Sequence, residues 1–106
     1  MNKNIRYSTA ITVSSGVGTS ELTTFYPMKH SGGEIKQVII TSPTDAVYNF
    51  YLQNPEGTKI YQQKNKKGNL NVGEPITTIA GIHTLGIENA DTDGTYTIEL
   101  TFRGDW

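Results

Sequence analysis

The chain has 106 residues, of which 35% are hydrophobic and 18% charged, and its formal net charge at pH 7 is −1. This length suits a single domain with one core, and the composition excludes a disordered chain. A near-neutral charge argues against nucleic acid as a partner, because proteins that bind it carry a basic surplus. The sequence has no cysteine, which excludes disulfides and thiolate metal sites.

The N-terminal residues include basic side chains, but the apolar stretch that follows them in a secretory signal peptide is missing. No segment of the sequence approaches the length of a membrane-spanning helix. We therefore expect a protein that is made in the cytoplasm and has no membrane as a partner.

Short runs of alternating apolar and polar residues, separated by turn residues, recur along the whole chain. In the last run, apolar side chains alternate with polar ones from Tyr96 to Phe102, which predicts a strand with one buried and one wetted face. The same pattern predicts eight strands and no helix. In chain order, the predicted strands span residues 5–13, 21–26, 35–41, 47–53, 58–63, 75–79, 82–88 and 95–103.

Turn residues mark the ends of these strands. Pro27 ends the second strand, because proline cannot donate a hydrogen bond to a sheet. Three consecutive apolar residues at 38–40 are typical of a central strand or a bulge. The sequence Asn-Pro-Glu-Gly at residues 54–57 predicts a type I turn that closes a hairpin. The longest polar stretch, residues 64–69, is interpreted as a loop.

Strands of this length and spacing favour an all-β fold, an antiparallel β-sandwich of about eight strands that is jelly-roll-like. Residues 1–106 form this one domain, with residues 1–7 as a candidate assembly arm and residues 103–106 as a candidate docking tail. The predicted core consists of Ile11, Leu22, Phe25, Ile39, Phe50, Leu52, Ile60, Leu85, Ile87, Ile98, Leu100 and Phe102.

Two parts of the sequence resemble a known family. Residues 48–57 read as a strand that ends in an asparagine-proline-x-glycine hairpin, and residues 94–100 begin a closing glycine-threonine-tyrosine strand. Both are similar to the bacterial pre-peptidase C-terminal type of β-sandwich. This resemblance implies a jelly-roll-like sandwich with an accessory role, and it carries over no active site. The overall profile also resembles the small virion proteins of tailed phages, such as head-decoration and head–tail proteins.

Few residues suggest a metal-binding or catalytic site. Asp91 and Asp93 offer the oxygen ligands that calcium prefers, but the other ligands of a calcium-binding loop are missing from the sequence, and a turn whose carboxylates bond the backbone is the alternative. His83 shares strand parity with Leu85, so we expect it to be partly buried and bonded to a backbone group. The sequence contains no nucleophile elbow, phosphate loop or zinc-type histidine pair. We expect no cofactor and no enzymatic activity.

Charged residues and a terminal aromatic residue are the candidates for contacts with other proteins. The basic group of one copy would pair head to tail with the acidic group of a neighbouring copy, which would suit a ring or lattice, although a basic run is also compatible with a solvated loop. The C-terminal tryptophan either folds back over the edge of the sandwich or anchors to another chain. The interface candidates are Trp106, Arg103, Lys64, Lys66, Lys67, Glu88, Asp91 and Asp93.

These features together predict a non-enzymatic virion structural protein, a capsid decoration or cement protein or a head–tail component that acts by protein–protein contacts. Its partners would be capsid or other virion proteins and further copies of itself, as a homo-oligomer or as copies bound to a lattice. Its location would be the virion. The alternative is a carbohydrate- or surface-binding β-sandwich module, with Tyr51 and Tyr61 pointing outward from adjacent strands as the sugar platform.

Overall fold

The computed structural model describes the backbone of residues 2–14, 21–28 and 33–105, and the side chains of residues 5–14 and 33–103. Within these ranges the chain contains strands and turns but no helix, and so nothing there forms a long apolar helix that would span a membrane. The strands in these ranges are β1 (Asn2–Val13), β2 (Glu21–Met28), β3 (Gly33–Thr41), β4 (Val47–Gln53), β5 (Lys59–Lys67), β6 (Leu70–Val72), β7 (Ile76–Thr78), β8 (Gly81–Glu88) and β9 (Gly94–Asp105).

The strands form two antiparallel sheets that face each other as a sandwich. The first sheet has the order β1-β9-β3-β6, with β7 also pairing with β3, and the second sheet has the order β2-β8-β4-β5. Because β6 and β7 pair with opposite halves of β3, they share one strand position, which reduces nine strands to eight positions. β1 pairs with β9, β2 with β8, β3 with both β6 and β7, and β4 with β5, so that along the chain each pair encloses the next. This nesting is the jelly-roll topology, so the predicted fold class is confirmed.

The core lies between the two sheets, and the inward-facing residues of both contribute to it. The alternation predicted for the last strand is confirmed, since its apolar residues are buried and their polar neighbours are not. Each fully buried large apolar side chain stabilises the fold by about 1.5–3 kcal/mol relative to exposure. The buried core residues are Ile11, Val13, Ile35, Val38, Ile40, Ala46, Tyr48, Phe50, Leu52, Leu70, Val72, Ile76, Leu85, Ile87, Ala90, Tyr96, Ile98, Leu100 and Phe102.

Four of the predicted core residues need comment, and one of them, Ile60, is only partly buried but packs against the core. Ile39 is half-buried on the outer face of β3, so its assignment to the core was wrong. A bulge between Ile35 and Gln37 shifts the register and turns the even-numbered residues that follow toward the core. Leu22 and Phe25 lie outside the residues whose side chains the structure describes.

The polar stretch at residues 64–69 is not the predicted loop. β5 continues to Lys67, which pairs with Val47 of β4, and only residues 68–69 turn the chain into β6. β5 is one of the two edge strands of the second sheet, and lysine side chains on an edge strand oppose pairing with another sheet. Its polarity therefore reflects its position in the sheet. β2 likewise continues past Pro27 to Met28, through a register shift after Phe25.

Candidate functional site

Two of the predicted contact segments meet at one end of the sandwich. The pairing of β4 with β5 places Val47 beside Lys67, and the pairing of β1 with β9 places Val13 beside Gly94. The turns from β3 to β4, from β5 to β6 and from β8 to β9 all lie at this end. We call these three turns the loop end, residues 42–46, 68–69 and 89–93.

Hydrogen bonds join the turns of the loop end to one another. The Asp91 carboxylate accepts the N–H of Val47 at 2.8 Å, and the Val47 carbonyl accepts the N–H of Asp91 at 3.0 Å. The N–H of Gly68 donates to the carbonyl of Ala46 at 2.8 Å. These bonds connect turns that are distant in sequence, so the surface is held in one conformation. A surface that is already ordered loses less conformational entropy when it binds.

Two core tyrosines bond to the same turns from the core side. The hydroxyl of Tyr48 donates to the carbonyl of Gly68 at 2.8 Å, and the hydroxyl of Tyr96 donates to the carbonyl of Thr92 at 2.8 Å. Their rings meet edge to face, with centroids 5.1 Å apart and an interplanar angle of 71°. Burial, and secondarily the neighbouring Tyr96, raises the pKa of Tyr48 to about 12. Both hydroxyls thus remain neutral donors near neutral pH.

The carboxylate of Asp91 is bonded both to its own turn and to the start of β4. Besides the N–H of Val47, it accepts the hydroxyl hydrogen of Thr92 at 2.8 Å. The bond from Val47, followed by the bond from Thr92, holds the pKa of Asp91 below its ordinary value. In the described part of the chain, no group of three or more histidine and acidic side chains is placed to hold a metal ion. Asp91 therefore acts as a cap that joins two turns, while Asp93 is exposed beside it.

The basic and acidic interface candidates lie close together. Lys67 is near enough to Asp91 to contribute to the lowering of the Asp91 pKa. Lys66 is half-buried and Lys64 is exposed, and Glu88 forms an ion pair with Lys59 at 3.5 Å. Head-to-tail pairing needs the two charges on opposite surfaces. Charges of both signs at one end instead suit a contact in which two copies meet across a two-fold axis.

The sugar platform predicted from Tyr51 and Tyr61 does not exist, because the two rings lie on opposite faces of the second sheet. Tyr51 faces outward, whereas Tyr61 is paired with Leu52 and packs against the core, 6.2 Å from Phe50 between ring centroids. In a regular hairpin Tyr61 would lie opposite Tyr51. A register shift next to Leu52 inserts Ile60 and reverses the face on which Tyr61 lies.

Tyr51 instead forms the floor of a cleft on the outer face of the second sheet. Its ring lies over Gly86 of β8, where a Cβ atom would stand 2.2 Å from the ring. The ammonium of Lys59 is 4.6 Å from the ring centroid and 3.5 Å from the Glu88 carboxylate. Although it faces outward, Tyr51 is only 8% exposed. We call this space of about 340 Å³ the Tyr51 cleft, and its polar lining comprises Asn49, Lys59, Gln62, Lys64, Glu88 and Asn89.

The Lys59 side chain covers the Tyr51 ring and is held there by two contacts. A cation–π contact contributes about 0.5–1 kcal/mol at an exposed site and about 2 kcal/mol when desolvated, and an exposed ion pair contributes about 0–1 kcal/mol. The Lys59 side chain is 39% exposed, whereas the ring beneath it is 8% exposed, so moving the side chain costs at most about 3 kcal/mol. Burial, with the Glu88 charge as a second cause, raises the pKa of Tyr51 and keeps its hydroxyl protonated. The sequence signal for this cleft is a glycine inside an apolar strand, which indicates a close approach by another group.

The remaining candidates lie elsewhere. Residues 2–7, the candidate arm, belong to β1 and pair with β9 at the end of the sandwich opposite the loop end. Arg103 is exposed on β9, and Trp106 lies outside the described residues.

His83 is fully buried, and its Nδ1 donates to the carbonyl of Gly81 at 3.2 Å, which confirms the predicted backbone bond. Burial lowers the pKa of His83 despite this bond.

The fold and these sites define a small jelly-roll sandwich with an ordered loop end and a polar cleft. No family model and no curated protein matches the chain. A chain in the structure of infectious bursal disease virus Gx strain is 9% identical with a TM-score of 0.26, over 97% of this chain and 40% of that chain. A chain of the infectious bursal disease virus VP2 subviral particle is 13% identical with a TM-score of 0.25, over the same shares. This protein thus spans about two fifths of the length of those viral chains, and a likeness at this level does not distinguish one function from another.

Proposed function

We propose that this chain is a non-enzymatic virion structural protein, a capsid decoration or cement protein or a head–tail component. The observation that carries the proposal is the loop end, where three turns are bonded to one another and to two core tyrosines. Jelly-roll sheets are used by viral capsid and lectin domains. Since a fold alone does not assign a function, the proposal depends on this ordered contact surface.

The charges of the loop end support self-association. Asp93 is exposed in the loop end, and Lys67, the last residue of β5 directly before it, is exposed as well. When two copies meet across a two-fold axis, the basic group of each copy lies against the acidic group of the other, and both contacts form at once. Repetition of such small contacts over a symmetric particle multiplies their strength.

The side chains that first suggested chemistry also support a structural role. Asp91 is used to join two turns, and His83 is buried and bonded to the backbone. The Asp91 carboxylate is exposed but bonded to Val47 and Thr92, and His83 is enclosed in the core. The chain then acts through surfaces, as a decoration or connecting protein does.

Particle composition tests the proposal directly. Particles would be purified on a density gradient from cells that express the chain from its native locus, and their proteins quantified by mass spectrometry. We expect the chain in the particle fraction at a fixed ratio to the major capsid protein. Its absence from every particle fraction would refute a virion role.

The loop end is tested separately by light scattering over a range of concentrations. We expect a discrete oligomer. The charge reversal Lys67→Glu should raise its dissociation constant about tenfold, which corresponds to the loss of one charge contact. Arg6→Glu is the matched control, because Arg6 is exposed on the outer face of the first sheet, away from the loop end. An oligomer that both variants leave unchanged would place the interface elsewhere.

A further inference from the structure

We propose that the Tyr51 cleft binds a saccharide, a function separate from the contacts of the loop end. The cleft contains the Tyr51 ring, which the Lys59 side chain covers, and its exposed lining is mainly polar. Small-ligand sites combine such a ring with a few placed polar groups, and their volumes begin at about 300 Å³. The cleft, at about 340 Å³, lies at the lower end of this range.

The ring supplies the surface that a sugar needs. A pyranose has one face of C–H groups, which packs on an aromatic face, and a rim of hydroxyls that stays hydrogen-bonded. Tyr51 is held in place by Gly86 beneath it, since any side chain at that position would collide with the ring. The ring face is therefore presented at a fixed height above β8, and a sugar would stack on it in place of the Lys59 ammonium.

The polar lining matches hydroxyl groups, which both donate and accept hydrogen bonds. The amides of Asn49 and Gln62 offer both functions, Glu88 accepts, and Lys64 donates. The amide orientation of Asn49 is set by the bond that its oxygen accepts from the N–H of Asn65 at 2.8 Å. A ring bound on Tyr51 would thus find donors and acceptors around its rim.

Other classes of ligand fit this cleft less well. Two lysines and one glutamate leave a small net charge, whereas phosphate chains are bound by a larger basic surplus. An apolar ligand would find a single ring surrounded by amides and charges. A folded protein would contact a broader surface than this cleft provides.

Lys59 acts as a cover that the ligand must move. Its ammonium occupies the ring face and is paired with Glu88. The Lys59 side chain is 39% exposed and the Glu88 side chain 34% exposed, and the lysine is long and flexible. When a sugar displaces it, the Lys59 ammonium and the Glu88 carboxylate become available to hydroxyls at the edge of the ring.

The test uses the full chain on a glycan microarray, followed by NMR titration with the glycan that binds best. We expect Tyr51→Leu to weaken binding by about tenfold or more and Tyr51→Phe to change it by less than about threefold, because the phenylalanine ring still stacks. Gln62→Ala should weaken binding by about threefold or more. Gln37→Ala is its matched control on the outer face of the first sheet and should leave binding unchanged.

Several results would overturn the assignment. The first is a wild-type chain that binds no glycan on the array above background. The second is binding that Tyr51→Leu leaves intact while its thermal unfolding matches that of the wild type. Binding restricted to acidic glycans, abolished by moderate salt and insensitive to Tyr51→Leu, would indicate attraction to surface lysines instead. Lys67→Glu at the loop end should leave glycan binding unchanged.

Discussion

Tyr48→Phe removes one oxygen atom from the core and tests how the loop end is supported. The Tyr48 side chain is fully buried, and its hydroxyl donates to the Gly68 carbonyl at 2.8 Å. Loss of such a bond costs about 0.5–1.5 kcal/mol, and a buried acceptor left without its donor costs about 1–3 kcal/mol. Gly68 is half-buried, so water reaches its carbonyl in part. We therefore expect the free energy of unfolding to fall by about 1–2 kcal/mol.

Urea unfolding followed by circular dichroism measures this change. The midpoint should fall without a change in slope, and the melting temperature should drop by about 4–8 °C for each kcal/mol in a domain near this size. Tyr61→Phe is the matched control, since the Tyr61 hydroxyl is 3.5 Å from the Gln63 side chain, too long for a strong bond. We expect it to cost less than about 0.5 kcal/mol. Equal effects of the two variants would refute the role given to the Tyr48 hydroxyl.

Two further outcomes follow from the same structure. The pKa of Tyr48 is raised to about 12 in the folded state, against an ordinary value of 10.0, so stability should be complete below pH 10 and decrease by about 2–3 kcal/mol toward pH 12. Urea midpoints across this range should fall less steeply in Tyr48→Phe, and parallel curves would contradict the assignment. Gly86→Val should displace the Tyr51 ring and cost about 1–3 kcal/mol. Gly73→Val, where a Cβ atom meets nothing within 4 Å, is its control in thermal unfolding, and similar melting temperatures for the two variants would contradict the close packing at Gly86.

The sequence predicts the fold class well because alternation and turn chemistry are local signals. Tyr96 to Phe102 alternate without interruption, and the structure buries every second residue of that strand. The nested pairing is not predicted, because two layers of eight strands also allow other connections. β6, at Leu70–Val72, is not predicted, because three residues are too few to show an alternation.

Bulges limit what the sequence predicts about individual side chains. A single inserted residue reverses the face of everything that follows it, and neither Ile60 nor the residue beside Ile35 differs in type from an ordinary strand residue. The assignments of Ile39 and Tyr61 failed for this reason. The bond between Asp91 and Val47 joins residues that are 44 positions apart, so it too depends on the assembled sandwich rather than on a local pattern.

The register shift next to Leu52 determines the chemistry of the Tyr51 cleft. Without it, Tyr61 would lie opposite Tyr51, and the outer face would present two aromatic rings. With it, Tyr61 joins the core beside Phe50, and Gln62 takes the position opposite Tyr51. One extra residue thus replaces a pair of aromatic rings by one ring and one amide, a combination found in sites for polar ligands.

The two candidate surfaces depend on different parts of the fold. The loop end is held by Tyr48 and Tyr96, whose hydroxyls reach its carbonyls from the core. The Tyr51 cleft is held by Gly86 and by the β4–β5 register on the outer face of the second sheet. Asn89 belongs to both surfaces, but their supports share no hydrogen bond among those described, so a variant that removes one support should leave the other surface intact. Self-association and glycan binding can therefore be assigned to separate residues of one chain.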